Sequence, residues 1–244
     1  MRIILQNDLE VDADNLNMIE SYVKYWLRVM NISTDLIIVK IVLTHDEVRN
    51  LLNLSGPLLN YSEKPVKLIV HEDDVPILSI SKNVTQLRSD ELFLEIGREL
   101  TLYKVLTDPE LINTWSIPEP YMSDKYANLL SIALMLRLTD KLIADTNHSH
   151  DLSKLFNKEL FREILSHGDN DHKLRAIEVL SIDVPLSIEL SGNVGLARSL
   201  YDECVKHVDD KEFLKRYDDF RDFVRNNFNF ENAYNYLDLI FKTG

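Results

Sequence analysis

Residues Glu91 to Leu106 read ELFLEIGRELTLYKVL, and the spread of apolar side chains in this stretch decides the fold class. On a helical wheel of about 100° per residue, Leu92, Ile96, Leu100 and Tyr103 form one stripe with Phe93 beside it. Leu94, Leu102 and Val105 point elsewhere. A helix apolar around so much of its circumference is buried on two sides, not laid on a surface. Gly97 in mid-helix costs about 1 kcal/mol relative to alanine, which predicts close packing of another backbone. Ser89 is placed to cap this helix, Asp90 and Glu91 suit its first turn, and Asp108-Pro109 ends it.

Upstream, Arg2 to Gln6 reads as a short strand, and Asp12 to Met30 as a helix, capped by Asp12 or Asp14, with Leu16, Ile19, Val23, Trp26, Leu27 and Met30 at helical spacing. Leu36 to Thr44 is β-branched and reads as a strand, and His45 to Leu54 as a short helix closed by Ser55-Gly56-Pro57. Val66 to His71 and Val75 to Ser81 are two further strands about the acidic turn Glu72-Asp73-Asp74. Pro76 has no N–H to give a ladder, which predicts an edge position for the second of them.

Downstream the patterns are mostly helical: Tyr121 to Asp145, Ser153 to His167, His172 to Leu180, Ser187 to His207, Lys211 to Asn226 and Glu231 to Phe241. Ser191-Gly192-Asn193 is a candidate break in the fourth of these. Strands first and helices later predict an α+β fold, with a small mixed sheet and helices followed by a mainly helical C-terminal half. The division is expected as 1–145 and 146–244, through either the Thr107–Tyr121 stretch or the loop at Asn147.

The 244 residues suffice for a sizeable core, and 45% hydrophobic with 27% charged residues is ordinary globular composition. A net charge of −13 argues against a general basic surface for nucleic acid or anionic membrane. The longest apolar stretch, Ala127 to Leu136, is shorter than a membrane span of roughly 20 residues. Cys204 is the only cysteine, so no intramolecular disulfide forms, and a buried structural thiol is its expected role. No signal-peptide pattern opens the chain, and a cytoplasmic location is the expectation.

A small sheet with an edge strand, followed by a buried helix, resembles the zincin metallopeptidases, especially the compact gluzincin type. In that family the buried helix carries HExxH, often as HExGH: two histidines one turn apart bind zinc and the glutamate between them is the general base. Leu94-Glu95-Ile96-Gly97-Arg98 falls in the same frame, with Glu95 and Gly97 matching and both histidines replaced. In the compact zincins similar to phage repressor-cleaving peptidases, a glutamate on the following helix is the third ligand, in a pattern like ExxANxFAxxLL. Asp124-Lys125-Tyr126-Ala127-Asn128 falls in that frame, Asp124 standing at the ligand position. The resemblance covers residues 1 to 145. It implies a zincin-like fold without the metal: leucine offers no lone pair, and arginine stays charged. Without zinc no water is activated, and Glu95 is a vestigial base. The expected state is a pseudoenzyme with no cofactor.

Other residues carry alternative chemistry. His148 and His150, two apart in the loop Asn147–Asp151, with His167 and His172 flanking an Asp-rich turn, could ligate a metal together with Asp151, Asp169 or Asp171 and so serve a metal-dependent hydrolase. His45-Asp46-Glu47 suits a helix start, and His71 a strand end. Nucleophile-elbow, P-loop and dinucleotide signatures are absent from the sequence. The C-terminal aromatics Tyr217, Phe220, Phe223, Phe228, Phe230, Tyr234, Tyr236 and Phe241 recur at helical intervals, as core or as a groove for a partner helix. Three functions follow in order of preference: a non-catalytic protein binding a protein or peptide partner, a metal hydrolase using the histidine loop, and a purely structural helical interaction module.

Overall fold

The computed structural model describes residues 2–45, 65–70, 75–81, 88–116, 125–155, 188–189, 191–206, 211–212, 214–215 and 218–219. The expected helices at Ser153–His167, His172–Leu180 and Glu231–Phe241, most of those at His45–Leu54 and Lys211–Asn226, the turn Glu72–Asp74, Asp124, His167, His172, the C-terminal aromatics and the side chain of Cys204 lie outside the described residues or extend beyond them. The fold is α+β, and the chain forms two compact units, Met1–Lys104 and Val105–Gly244.

The first unit begins with strand β1 (Arg2–Asn7) and helix α1 (Ala13–Val29), then strand β2 (Leu36–Val42). Asp12 caps α1 by accepting from the Asn15 N–H at 2.9 Å, satisfying one of the donors a helix start leaves open. Strands β3 (Val66–Val70) and β4 (Pro76–Ser81) complete a four-stranded sheet of order β1-β2-β4-β3. β1 with β2 and β2 with β4 are parallel, and β3 runs antiparallel to β4.

Pro76 therefore stands at the head of an interior strand, not on an edge strand as its missing N–H suggested. The reason is register. Pro76 lies opposite Val70, while the ladder to β2 opens one residue later, at Ile38 and Ile77. The Ser81 N–H donates to Pro65 across the same β3–β4 pair, so bonded rungs alternate from there and the rung at Pro76 needs no N–H.

The sheet has unlike faces. Ile37, Val39 and Ile41 of β2 share one face with Leu78 and Ile80 of β4 and Val66 of β3, and all are fully buried. On the other face one row crosses every strand in register as Gln6, Lys40, Ser79 and Lys67. Beside that row Val42, Ile69 and Ile77 form a small apolar cluster.

Helix α2 (Ser89–Thr107) is the stretch on which the fold class was decided, and it is buried around its circumference. Arg88, not Ser89, occupies its cap position: the Leu92 N–H donates to the Arg88 carbonyl, and Glu91 reaches back to the Arg88 N–H at 3.0 Å. Ser89 instead shares a hydrogen bond with the Tyr22 hydroxyl. Gly97 is required by close packing, but by an indole and not by backbone. A Cβ there would come within 2.2 Å of Trp26 Cε2.

In the second unit, Asp108 caps α3 (Pro109–Trp115) with Pro109 in its first turn, so the pair that closes α2 also opens a new helix. The Trp115 indole N–H donates to the Val105 carbonyl at 3.1 Å. Helix α4 (Lys125–Ala144) follows, then a 3-10 helix at Ser149–Leu155 and helix α5 (Val194–Val205). The expected break falls at Gly192, whose φ of +85° suits glycine. The Gly192 N–H donates to Glu189 and the Asn193 N–H to Ile188, which closes the preceding turn and frees the chain to start α5.

Candidate functional site

Helix α1 positions the Leu94–Arg98 segment. Trp26, fully buried, donates its indole N–H to the Phe93 carbonyl at 2.8 Å and lays its ring on Gly97. One turn on, the Thr101 hydroxyl donates back to the Gly97 carbonyl at 2.7 Å. The segment is thus clamped through its glycine, and small size is what that position demands.

Leu94 is 1% exposed and Arg98 9% exposed. Leu94 is a core side chain, and at the second histidine position stands a cation without a lone pair. Neither side chain has a donor atom for a zinc ion. Glu95, between them, is half-buried. Glu99, which follows Arg98, is 6% exposed, and its Oε2 accepts the Leu68 N–H of β3 at 2.8 Å.

Val75–Ser81 cannot receive an added strand, because β4 is paired on both sides. Among the described residues β3 is an outer strand, and its alternating register turns the Leu68 N–H away from β4. The Glu99 carboxylate already holds that donor.

A serine–histidine pair also lies in this unit. His45 Nδ1 is 2.8 Å from Ser79 Oγ, and both residues are buried, Ser79 completely. The pair resembles part of a hydrolase triad in composition, but a hydroxyl with no accessible surface cannot meet a substrate. It serves as a satisfied polar contact in the middle of a sheet. Thirty-four positions separate the two residues, and no local pattern announces them.

In the second unit His148 and His150 turn to different partners. His148 Nδ1 lies 3.6 Å from Asp151, and His150 Nδ1 lies 3.4 Å from the Ser191 carbonyl. Asp151 also receives Lys154 at 2.8 Å, and that contact, opposed by a little burial and helped by His148, holds its carboxyl below the usual range. Among the described residues no three His, Cys, Asp or Glu side chains are grouped to hold a metal ion, and no helix is long and apolar enough to cross a membrane.

One surface feature is absent from any motif. Ser21, Tyr22, Lys24, Tyr25 and Arg28 of α1, with Phe93 of α2, line an open groove of about 590 Å³. Its aromatic members interlock: Phe93 lies 5.1 Å from both Tyr22 and Tyr25, edge-on to the first and tilted to the second, and 5.1 Å from Trp26. Aromatic and basic letters at helical spacing in Ser21–Arg28 were the available signal, but Phe93 is 71 positions from Tyr22 and joins them only through the fold. The chain matches no family model, no curated protein and no solved structure.

Proposed function

We propose that the protein is a non-catalytic pseudo-metallopeptidase, a zincin-like N-terminal unit that works by binding a protein or peptide partner. The observation that carries this reading is the state of α2: the glutamate and glycine of the HExGH frame are kept, while Leu94 and Arg98 at the histidine positions are buried in the helix packing. A small mixed sheet with an antiparallel outer strand, followed by a buried helix, supports the likeness. The donor set supports the loss of catalysis, since neither replacement can ligate a metal and Glu95 has no metal-bound water to deprotonate.

The test is direct. Purified protein incubated with zinc and desalted is expected to retain far less than one equivalent by elemental analysis, and to leave peptide substrates uncut. Stoichiometric zinc that disappears on Glu95→Gln or Asp124→Asn overturns the proposal. Stoichiometric zinc that survives both changes but is lost on His148→Ala with His150→Ala moves the chemistry to the second unit.

A further inference from the structure

We propose that the groove between α1 and the start of α2 docks an acidic peptide segment of a partner protein, one that carries a bulky apolar anchor between its carboxylates. The proposal gives a place and a chemistry to the partner-binding reading above and rests on it in that respect alone; it does not need the zincin likeness. Three observations lead there.

The floor is apolar and already ordered. Tyr22, Tyr25 and Phe93 are each half-buried and line the groove. Their mutual contacts, and the Trp26 hydrogen bond to the Phe93 carbonyl beneath them, hold the rings in place before any ligand arrives. Rings that are fixed in advance lose little conformational freedom on binding, which is the condition for an aromatic anchor site.

The rim is cationic. Lys24 and Arg28 are one turn apart on the exposed side of α1, and the Arg28 guanidinium lies 6.0 Å from the Tyr25 ring centroid. Lys24 meets Glu20 at 2.6 Å, an exposed pair of the kind worth under about 1 kcal/mol, which an arriving carboxylate can displace. On a chain of net charge −13, two cations beside an open aromatic floor favour a carboxylate on each side of an apolar anchor and disfavour a basic one. The overall charge slows the encounter while the local pair sets register, so the groove selects by contact and not by long-range steering.

Among the described residues the lining is mid-helix: Ser21, Tyr22, Lys24, Tyr25 and Arg28 lie within α1 and Phe93 in the second turn of α2, where backbone N–H groups are spent on the helix and cannot cradle phosphate. A second copy of the chain, itself acidic, is the competing occupant, and the self-association reading of the experiment below separates it from a partner's segment. An acidic segment with an anchor fits the aromatic floor and its cations better than free phosphate does.

The probe is a fluorescein-labelled decapeptide of glutamates and aspartates with a central Phe-Leu pair, titrated against the full chain by fluorescence polarisation. Controls are its copy with alanines for Phe-Leu, its lysine counterpart, ATP and inorganic phosphate. Saturable binding of the first peptide is expected, with roughly tenfold losses for Lys24→Glu and Arg28→Glu, both on exposed positions that leave the core intact. Tyr25→Leu should weaken the anchored peptide and leave the weak binding of the alanine copy unchanged. Circular dichroism of each variant separates a lost site from a lost fold. Equal binding of the lysine peptide, binding indifferent to both charge reversals, binding of ATP or phosphate in place of the peptide, self-association abolished by the same reversals, or no binding of any probe each overturns the proposal. Zinc retention is read on the same preparation: peptide binding with stoichiometric zinc defeats only the pseudoenzyme reading, and no peptide binding without zinc defeats only this one.

Discussion

The Leu94–Arg98 segment of α2 and the Asn147–Asp151 segment of the second unit both place suggestive side chains at suggestive spacing, yet they are built on opposite terms. In α2 the charged and small residues are inside: Arg98 and Glu99 are buried, and Gly97 lies against an indole. At Asn147–Asp151 the polar groups stay partly in water, where His148, Asp151 and Lys154 meet at exposures of 20–35%. A buried charge must be fully accommodated or it unfolds its surroundings, whereas an exposed one can be lost with little effect. The difference teaches that a motif frame and a histidine cluster carry unequal weight even when both look equally suggestive as letters.

The comparison breaks most easily at Gly97. A methyl group there meets Trp26 in the core, so Gly97→Ala should lower stability by about 3 kcal/mol or more in urea denaturation. Trp26→Phe should relieve part of that loss in the double variant, giving a non-additive cycle. An alanine tolerated without cost would remove the packing explanation for this glycine.

Glu99 comes next. Glu99→Leu leaves the Leu68 N–H without its acceptor and should cost about 1–3 kcal/mol, while Glu99→Gln, which keeps an acceptor oxygen, should cost less. Equal losses for the two would mean that charge, and not this hydrogen bond, is what the position supplies.

The smallest effects belong to the second unit. His148→Ala and His150→Ala should each stay within about 0.5 kcal/mol of the parent. The Asp151 carboxyl is held below its usual range by Lys154 first, so its contribution is present above the unfolded-state value of about 3.9 and is lost as pH falls through the folded value. Asp151→Asn should therefore lower stability slightly at neutral pH and leave it unchanged below the folded value, which flattens the acid limb of a stability–pH curve. A large neutral-pH loss would place this segment with α2.

Much of the fold was legible because its signals are local. β-branched runs gave β2 and β3, Asp12 marked the start of α1, and Gly192 marked the break before α5. Pro76 misled because its missing N–H restricts it to an edge strand or to the first residue of any strand, and only register separates the two. Helix α3 was overlooked although Asp108-Pro109 is a cap followed by a first-turn proline, because the same pair also ends α2. The candidate site was legible only as a frame. Gly97 announced a close neighbour without naming Trp26, and the groove formed by Tyr22, Tyr25 and Phe93 depends on a contact about 70 residues long. Such contacts leave no period in the chain.

The two tryptophans have a practical consequence. Trp26 lies in the first compact unit and Trp115 in the second, the former donating to the Phe93 carbonyl and the latter to Val105. Each unit therefore contains its own intrinsic fluorophore. With Trp115→Phe, the emission of Trp26 alone follows the melting of Met1–Lys104, and with Trp26→Phe the remaining signal follows Val105–Gly244. Coincident curves would mark one cooperative folding unit, and separated curves would assign each half its own transition without any added label.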